Sequence, residues 1–197
     1  MNLALAGLSY GITVVALLLL AVRVKALIGI YTKGQPDPTR GNDKSARLKM
    51  AAREIFGHTK MFNFTVVGLA HWFVMVGFVV LFGTLVTAYG QLINPKFALP
   101  IIGHVWVYEY ITELIAWATG IGIVTLIGIR QVTRLRNKRS RFAGSGMGKA
   151  YYVEFTILLI VFCVIALRGL EGALSDETKW NRHYITTWFI ASMFKSM

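Results

Sequence analysis

Residues 60–95 read KMFNFTVVGLAHWFVMVGFVVLFGTLVTAYGQLINP, and this stretch decides the fold. From Met61 to Pro95 it carries no Asp, Glu, Lys or Arg. It exceeds the roughly 20 apolar residues that a helix needs to cross a bilayer. Only His71 within it titrates near neutral pH. An ionisable ring at membrane depth is costly unless it is paired, so His71 is the first candidate for function.

Working outward, the rest of the chain repeats the pattern. The mean hydropathy is +0.57, and 55% of the residues are hydrophobic. Apolar runs at about 1–22, 108–129 and 151–167 join the one at 61–92, and a partial run covers 184–197. Lipid offers the backbone no hydrogen bonds, so spans must be helices or closed barrels. These runs are too continuous for the alternation of barrel strands. The expected fold is an all-α, polytopic membrane helical bundle. It has four full spans, the start of a fifth, and the N-terminus outside.

Orientation follows from the loops. Residues 23–60 hold nine Lys/Arg against three acids, and 130–149 hold seven with no acid. The segments 96–113 and 168–182 are not basic overall. The positive-inside rule therefore places 23–60 and 130–149 in the cytoplasm. The formal net charge of +12 sits in these loops, where it sets topology and meets anionic lipid, so nucleic acid is not an expected partner. Ser45 to Phe56 reads as a short amphipathic helix lying on the membrane. Gly34, Pro36 and Pro38 break the chain before it. The first run has no basic residue ahead of it, unlike a secretory signal. The single cysteine, Cys163, reads as a packing residue and cannot build an iron–sulfur site. Gly120, Gly122 and Gly128 would let a neighbouring helix come close to the third span.

Several polar groups could carry chemistry. His71 and His58 are candidate axial ligands for haem iron, which histidines on facing helices commonly hold. Gly68, three residues before His71, removes a side chain from the same helix face. Phe64, Met75, Phe78 and Phe82 continue that face. On a straight helix, however, His58 and His71 would lie roughly 140° apart and about 20 Å along the axis. Both can act together only if the helix bends, unwinds, or begins after His58. His58 also reads as an interfacial residue beside Gly57 and Lys60. His104 and His183 read as external and interfacial, and His183 becomes a ligand only if the fifth segment folds back. Glu109 and Glu113, four apart, could relay protons to or from a quinone, or could simply start a solvated helix. Arg168 and Glu171 read as an ion pair closing the fourth span. The fifth run, about 16 Å long as a helix, is either interfacial or an incomplete span.

Longer stretches carry a resemblance. They include Glu54-Ile55-Phe56-Gly57-His58-Thr59-Lys60-Met61, Gly68-Leu69-Ala70-His71-Trp72-Phe73-Val74 and Ala88-Tyr89-Gly90-Gln91-Leu92. The helix from Glu109 to Gln131, Ser140-Arg141-Phe142-Ala143-Gly144-Ser145 and Ala150-Tyr151-Tyr152-Val153-Glu154 follow, and Leu167-Arg168-Gly169-Leu170-Glu171-Gly172-Ala173-Leu174 ends the series. In one collinear order they resemble the N-terminal membrane domain of bacterial heterodisulfide-reductase-like iron–sulfur oxidoreductases. That domain is similar to the cytochrome b (gamma) subunit of respiratory nitrate reductase. Some members look like electron-transfer-flavoprotein:menaquinone oxidoreductases.

The resemblance implies a multi-pass protein of the bacterial cytoplasmic membrane carrying haem b. It would pass electrons between cytoplasmic iron–sulfur clusters and menaquinone. His58 and His71 match the first pair of haem ligands. The second pair would lie past Met197, as would the ferredoxin-type and cysteine-rich CCG domains. The expected partners are that cytoplasmic iron–sulfur/CCG domain or subunit, quinone, membrane lipid and, as in some members, an electron-transfer flavoprotein. The chain is then part of an oxidoreductase, not catalytically complete alone, and truncated or split from its partner. The rival expectation is a haem-free anchor or assembly subunit that tethers a cytoplasmic redox partner through its basic loops.

Overall fold

The structure, a computed structural model, describes residues 3–35, 37, 39, 41–94, 96–103, 105–136, 147–175 and 179–196, without the side chains of 134 and 136. Among the described residues, six α-helices follow in order: α1 (Leu3–Tyr31), α2 (Lys44–Gly57), α3 (Thr65–Ile93), α4 (Trp106–Arg136), α5 (Met147–Leu174) and α6 (Trp188–Lys195). A 3-10 turn, Met61–Asn63, precedes α3. No strand occurs among the described residues. Helices α1, α3, α4 and α5 are each long and apolar enough to cross a bilayer, so this is a multi-pass, all-α membrane protein.

Three of the four long helices outrun their apolar stretch. α1 continues past Val22 through Arg23 and Lys25, and α4 continues past Ile129 through Arg130. Apolar residues mark where the bilayer is crossed. The helix itself propagates until the backbone is broken, and long basic side chains reach out to the headgroups. α3 starts later than the apolar run, at Thr65, because residues 58–64 are occupied by a turn. It ends at Ile93, ahead of Asn94.

The chain divides into two compact units. The first comprises 1–57 and 88–97. Within it the Tyr10 hydroxyl donates to the Tyr89 carbonyl at 2.7 Å. α2 is the expected amphipathic helix. The Asp43 carboxylate caps it by accepting the Ala46 N–H at 3.2 Å. Arg47 ties back to the Asn42 and Thr39 carbonyls. Leu48, Met50, Ile55 and Phe56 remain exposed on α2, a surface suited to the membrane interface.

The second unit comprises 58–87 and 98–197 and holds α4, α5, α6 and most of α3. Leu81, Ala116 and Val161 form its buried apolar centre, with Ile157, Val164 and Ile165 around them. Lipid tails are as apolar as these side chains, so close approach of the backbones holds such helices together. Gly122 sits against the Ala70 carbonyl and Gly120 against Val161, as glycines of the third span were expected to do; Gly128 faces open space. The tightest contact is at Gly77, where any Cβ would overlap the Thr119 side chain. Thr119 is itself 1% exposed, with its hydroxyl 2.7 Å from the Ile115 carbonyl and 3.2 Å from that of Phe73. Gly77→Ala is therefore expected to destabilise the chain by about 1–3 kcal/mol through overpacking. Denaturant titration in mixed micelles measures this, and an unchanged midpoint would place the helix crossing elsewhere.

The fifth apolar segment is short and folds back. α6 packs on α5, where Gly169 lies against Ile190 and Phe194, and Gly172 against Ala191 and Tyr184. α6 itself is eight residues long. Residue 104 and the basic stretch 137–146 lie outside the described residues, so the expectations for His104 and for most of that loop are not addressed.

Candidate functional site

The helix that carries His71 does not carry His58. His58 sits one residue beyond α2 with φ of 48°, a left-handed conformation uncommon for a residue with a Cβ. Its carbonyl accepts the N–H groups of Met61 and Phe62 at 2.9 and 3.1 Å. The Met61–Asn63 turn follows, and α3 begins at Thr65. This reversal folds His58 back beside the second turn of α3. The separation of about 140° and 20 Å expected of a straight helix is removed, because the helix begins after His58. His58 Nε2 lies 3.1 Å from His71 Nδ1, and the ring centroids are 5.2 Å apart. His58 is 9% exposed, whereas the His71 ring is exposed at the protein's surface.

That contact separates the roles of the two histidines. His58 Nε2 is committed to its neighbour, so the arrangement does not present both rings as independent iron ligands. His71 has Nδ1 committed and Nε2 as its other nitrogen. For Nε2 to offer an electron pair, Nδ1 must carry the hydrogen, so His71 donates and His58 accepts. A metal-binding histidine is usually oriented in this way, by an acceptor on its other nitrogen. Of the two histidines, His71 is thus the one that could hold a metal, through Nε2.

Gly68 has a different role from the one expected. A Cβ there would overlap the Met61 carbonyl group and touch Phe62 Cα. The space is filled by the chain's own turn, not left open for a macrocycle. Gly68 therefore acts on His71 indirectly, by admitting the turn that delivers His58. Gly68→Ala is expected to displace Met61 and part the two imidazoles, since a backbone carbonyl cannot yield as a side chain tip can. Histidine 15N NMR of the chain in nanodiscs would then show both rings losing their hydrogen-bonded nitrogen. Unchanged spectra would mean that the turn is held by something else.

Phe78 and Phe82 share the exposed stripe of α3 with His71, and Met75 is half-buried on it. Their spacing of three and four residues puts them on one helix face, whereas Phe64, exposed in the turn before Thr65, lies outside that helix. Among the described residues no three His, Cys, Asp or Glu side chains converge as a metal site.

At the other end of the unit, Glu113 is no solvated helix start. It is 2% exposed. Its Oε2 accepts the Thr186 N–H at 2.9 Å and the Thr186 hydroxyl at 2.7 Å, and Oε1 accepts the Thr187 hydroxyl at 2.7 Å. Trp117 Nε1 donates to the same Thr186 hydroxyl. Arg168 lies 3.6 Å from Glu113 and pairs with Glu171 at 2.9 Å, as the sequence suggested for the latter. Arg168 also donates to the His183 carbonyl and stacks over the Tyr184 ring, 4.7 Å from its centroid. Burial pushes the Tyr184 phenol above its ordinary value, with Arg168 pulling the other way. Glu109 pairs with the His183 ring. Both carboxylates are thus engaged by residues 183–187, and His183 is an ion-pair partner. The adjacent hydroxyls of Thr186-Thr187 and the i, i+4 carboxylates of α4 were the separate signals available in sequence, but that they meet depends on tertiary packing.

One pair was not anticipated at all. Arg130 of α4 and Glu154 of α5 meet at 2.9 Å, with the Glu154 side chain 7% exposed. The signal was an isolated carboxylate at the start of an apolar run, beside a loop of seven cations.

No family model matches the chain, and no curated protein or solved structure is significantly similar to it.

Proposed function

We propose that the chain is the membrane electron-transfer domain of a quinone-linked oxidoreductase of the bacterial cytoplasmic membrane. In this reading His71 holds a b-type haem through Nε2, between cytoplasmic iron–sulfur clusters of a partner domain or subunit and the menaquinone pool. One observation carries it. An imidazole on a membrane-spanning helix is turned outward on an apolar face, while its inner nitrogen is fixed by a nearly buried neighbour. Left against lipid, that outer nitrogen would be unpaired in a medium that offers no partner. A haem group, when bound, supplies one-electron chemistry whose potential depends on axial ligand and surroundings.

The chain's own residues do the rest. His71 ligates, and His58 fixes its ring and tautomer. Phe78 and Phe82 keep water from the outward face. His71 lies six residues into α3, about 9 Å from its first residue, at the end that the charge rule puts in the cytoplasm. A haem there lies within reach of a cytoplasmic electron donor. A second reading has its own support. The two imidazoles already satisfy each other in part, as they would in a haem-free anchor for a cytoplasmic redox partner. A reduced-minus-oxidised spectrum of the chain, reconstituted with haem and its iron–sulfur partner, decides between them. A b-type α band supports the first reading, and a flat spectrum leaves the anchor.

A further inference from the structure

Arg130 and Glu154 lie toward one end of the two long apolar helices, Trp106–Thr133 and Met147–Leu174, Arg130 just past the apolar stretch of α4. Taking the Gly120–Val161 contact as a common level, Arg130 lies about 15 Å along α4 and Glu154 about 10 Å back along α5. Both therefore belong to the same end of the unit. The contact is single: Arg130 Nη2 meets Glu154 Oε1. Arg130 Nε and Glu154 Oε2 are buried, and among the described residues neither has a hydrogen-bond partner. An Arg–carboxylate pair commonly closes with two parallel bonds, and here the second is unmade. One buried donor and one buried acceptor thus remain, each two covalent bonds from the atoms in contact, and a buried polar group left unmet is costly. Arg130 is 25% exposed, so this end of the pair is reachable from outside.

A donor next to an acceptor is met in full by one chemical group, a hydroxyl. Its oxygen accepts from Nε–H while its hydrogen is given to Oε2. A bare carbonyl or an anion would satisfy Nε but leave Oε2 facing a second acceptor. We propose that the Arg130–Glu154 pair is a hydroxyl-binding site, its occupant being water or the hydroxyl of a hydroquinone headgroup. The hydroquinone source rests on the quinone-linked reading above, and the water source does not. The rings of Tyr151 and Phe155, 6.3 Å apart on the first turns of α5, flank Glu154 in sequence.

The test uses the full chain in lipid nanodiscs and two probes. Exchange from H2O to D2O is followed by difference infrared spectroscopy. Menadiol, a naphthohydroquinone without a tail, is titrated calorimetrically. Three variants are compared with the parent: Glu154→Gln, Arg130→Lys, which keeps the charge but lacks Nε–H, and the double variant Arg130→Gln/Glu154→Gln. The double variant retains a neutral hydrogen-bonded pair if a single one fails to fold. A D2O-sensitive carboxylate band, absent from Glu154→Gln and from the double variant, supports the site. If menadiol then fails to bind saturably, or binds equally well to every variant, the occupant is water. Saturable menadiol binding weakened at least tenfold by Arg130→Lys and by the double variant supports the hydroquinone. Absence of the band, together with no menadiol binding or with binding indifferent to all three variants, overturns the proposal. Haem content is expected to be unchanged in Arg130→Lys, so a parent chain without an α band would sink the haem reading and leave this site standing.

Discussion

His71→Ala is expected to abolish the reduced-minus-oxidised α band of the reconstituted chain. His58→Ala is expected to keep the band but weaken haem retention by roughly 10–100-fold. The asymmetry follows from the 3.1 Å contact between His58 Nε2 and His71 Nδ1. Removing His71 takes away the nitrogen that would hold the iron. Removing His58 leaves that nitrogen in place but frees its ring to turn and to exchange tautomers, and loss of such an orienting partner typically costs this much affinity. His58→Gln, whose amide oxygen can accept from Nδ1–H, should recover part of the loss. Two axial ligands of two separate haems would behave differently, each substitution removing about half of the band. Optical titration of haem into the parent and the three variants separates the outcomes. A full band in His71→Ala would remove His71 from the site altogether.

Much of this molecule was legible in its composition. A helix in lipid must bury its backbone polar groups in itself, so a long uncharged run has one outcome, and the four spans follow. The short helix α2 was also legible, since Ser45 to Phe56 carries its own amphipathic period. The site was legible only in its parts. His71 stood out because it is an isolated ionisable ring, but its partner could not be found by periodicity. The reversal at His58 is a break in helical geometry, with φ of 48°, and no residue type there demands it. The requirement sits ten residues later, at Gly68, where only hydrogen fits against Met61. Gly68 stood out for the absence of a side chain, and in the structure the neighbour on that side is Met61. Glu113 and Glu154 show the same limit. A buried carboxylate announces that it needs a partner, but the partner is chosen by tertiary packing. For Glu113 it is a segment more than seventy residues away.

Glu113→Ala is expected to release residues 184–195 from the second unit. Its carboxylate accepts three hydrogen bonds from Thr186 and Thr187 and lies beside Arg168, all within a region closed to solvent. The Thr186 N–H just precedes α6, where a negative charge also favours the helix dipole. Truncation removes the acceptor and leaves two hydroxyls, an N–H and part of a guanidinium without it. Breaking a buried pair from one side costs about 3–5 kcal/mol. α6 is eight residues long and has little helical stability of its own, so that loss should exceed what holds it in place. Glu113→Gln keeps one acceptor oxygen and the side-chain volume, and is expected to lose about 1–3 kcal/mol, the worth of hydrogen bonds to a charge. Hydrogen exchange read by mass spectrometry resolves the claim by segment. In Glu113→Ala protection should collapse in 184–195 while the centres of α4 and α5 exchange as in the parent. In Arg168→Gln the effect should be smaller, because the threonine bonds to Glu113 survive. Were protection in 184–195 untouched by Glu113→Ala, the glycine contacts of α5 with Ile190 and Ala191 would be what docks α6. The carboxylate would then be free for the proton-relay role that its sequence position first suggested.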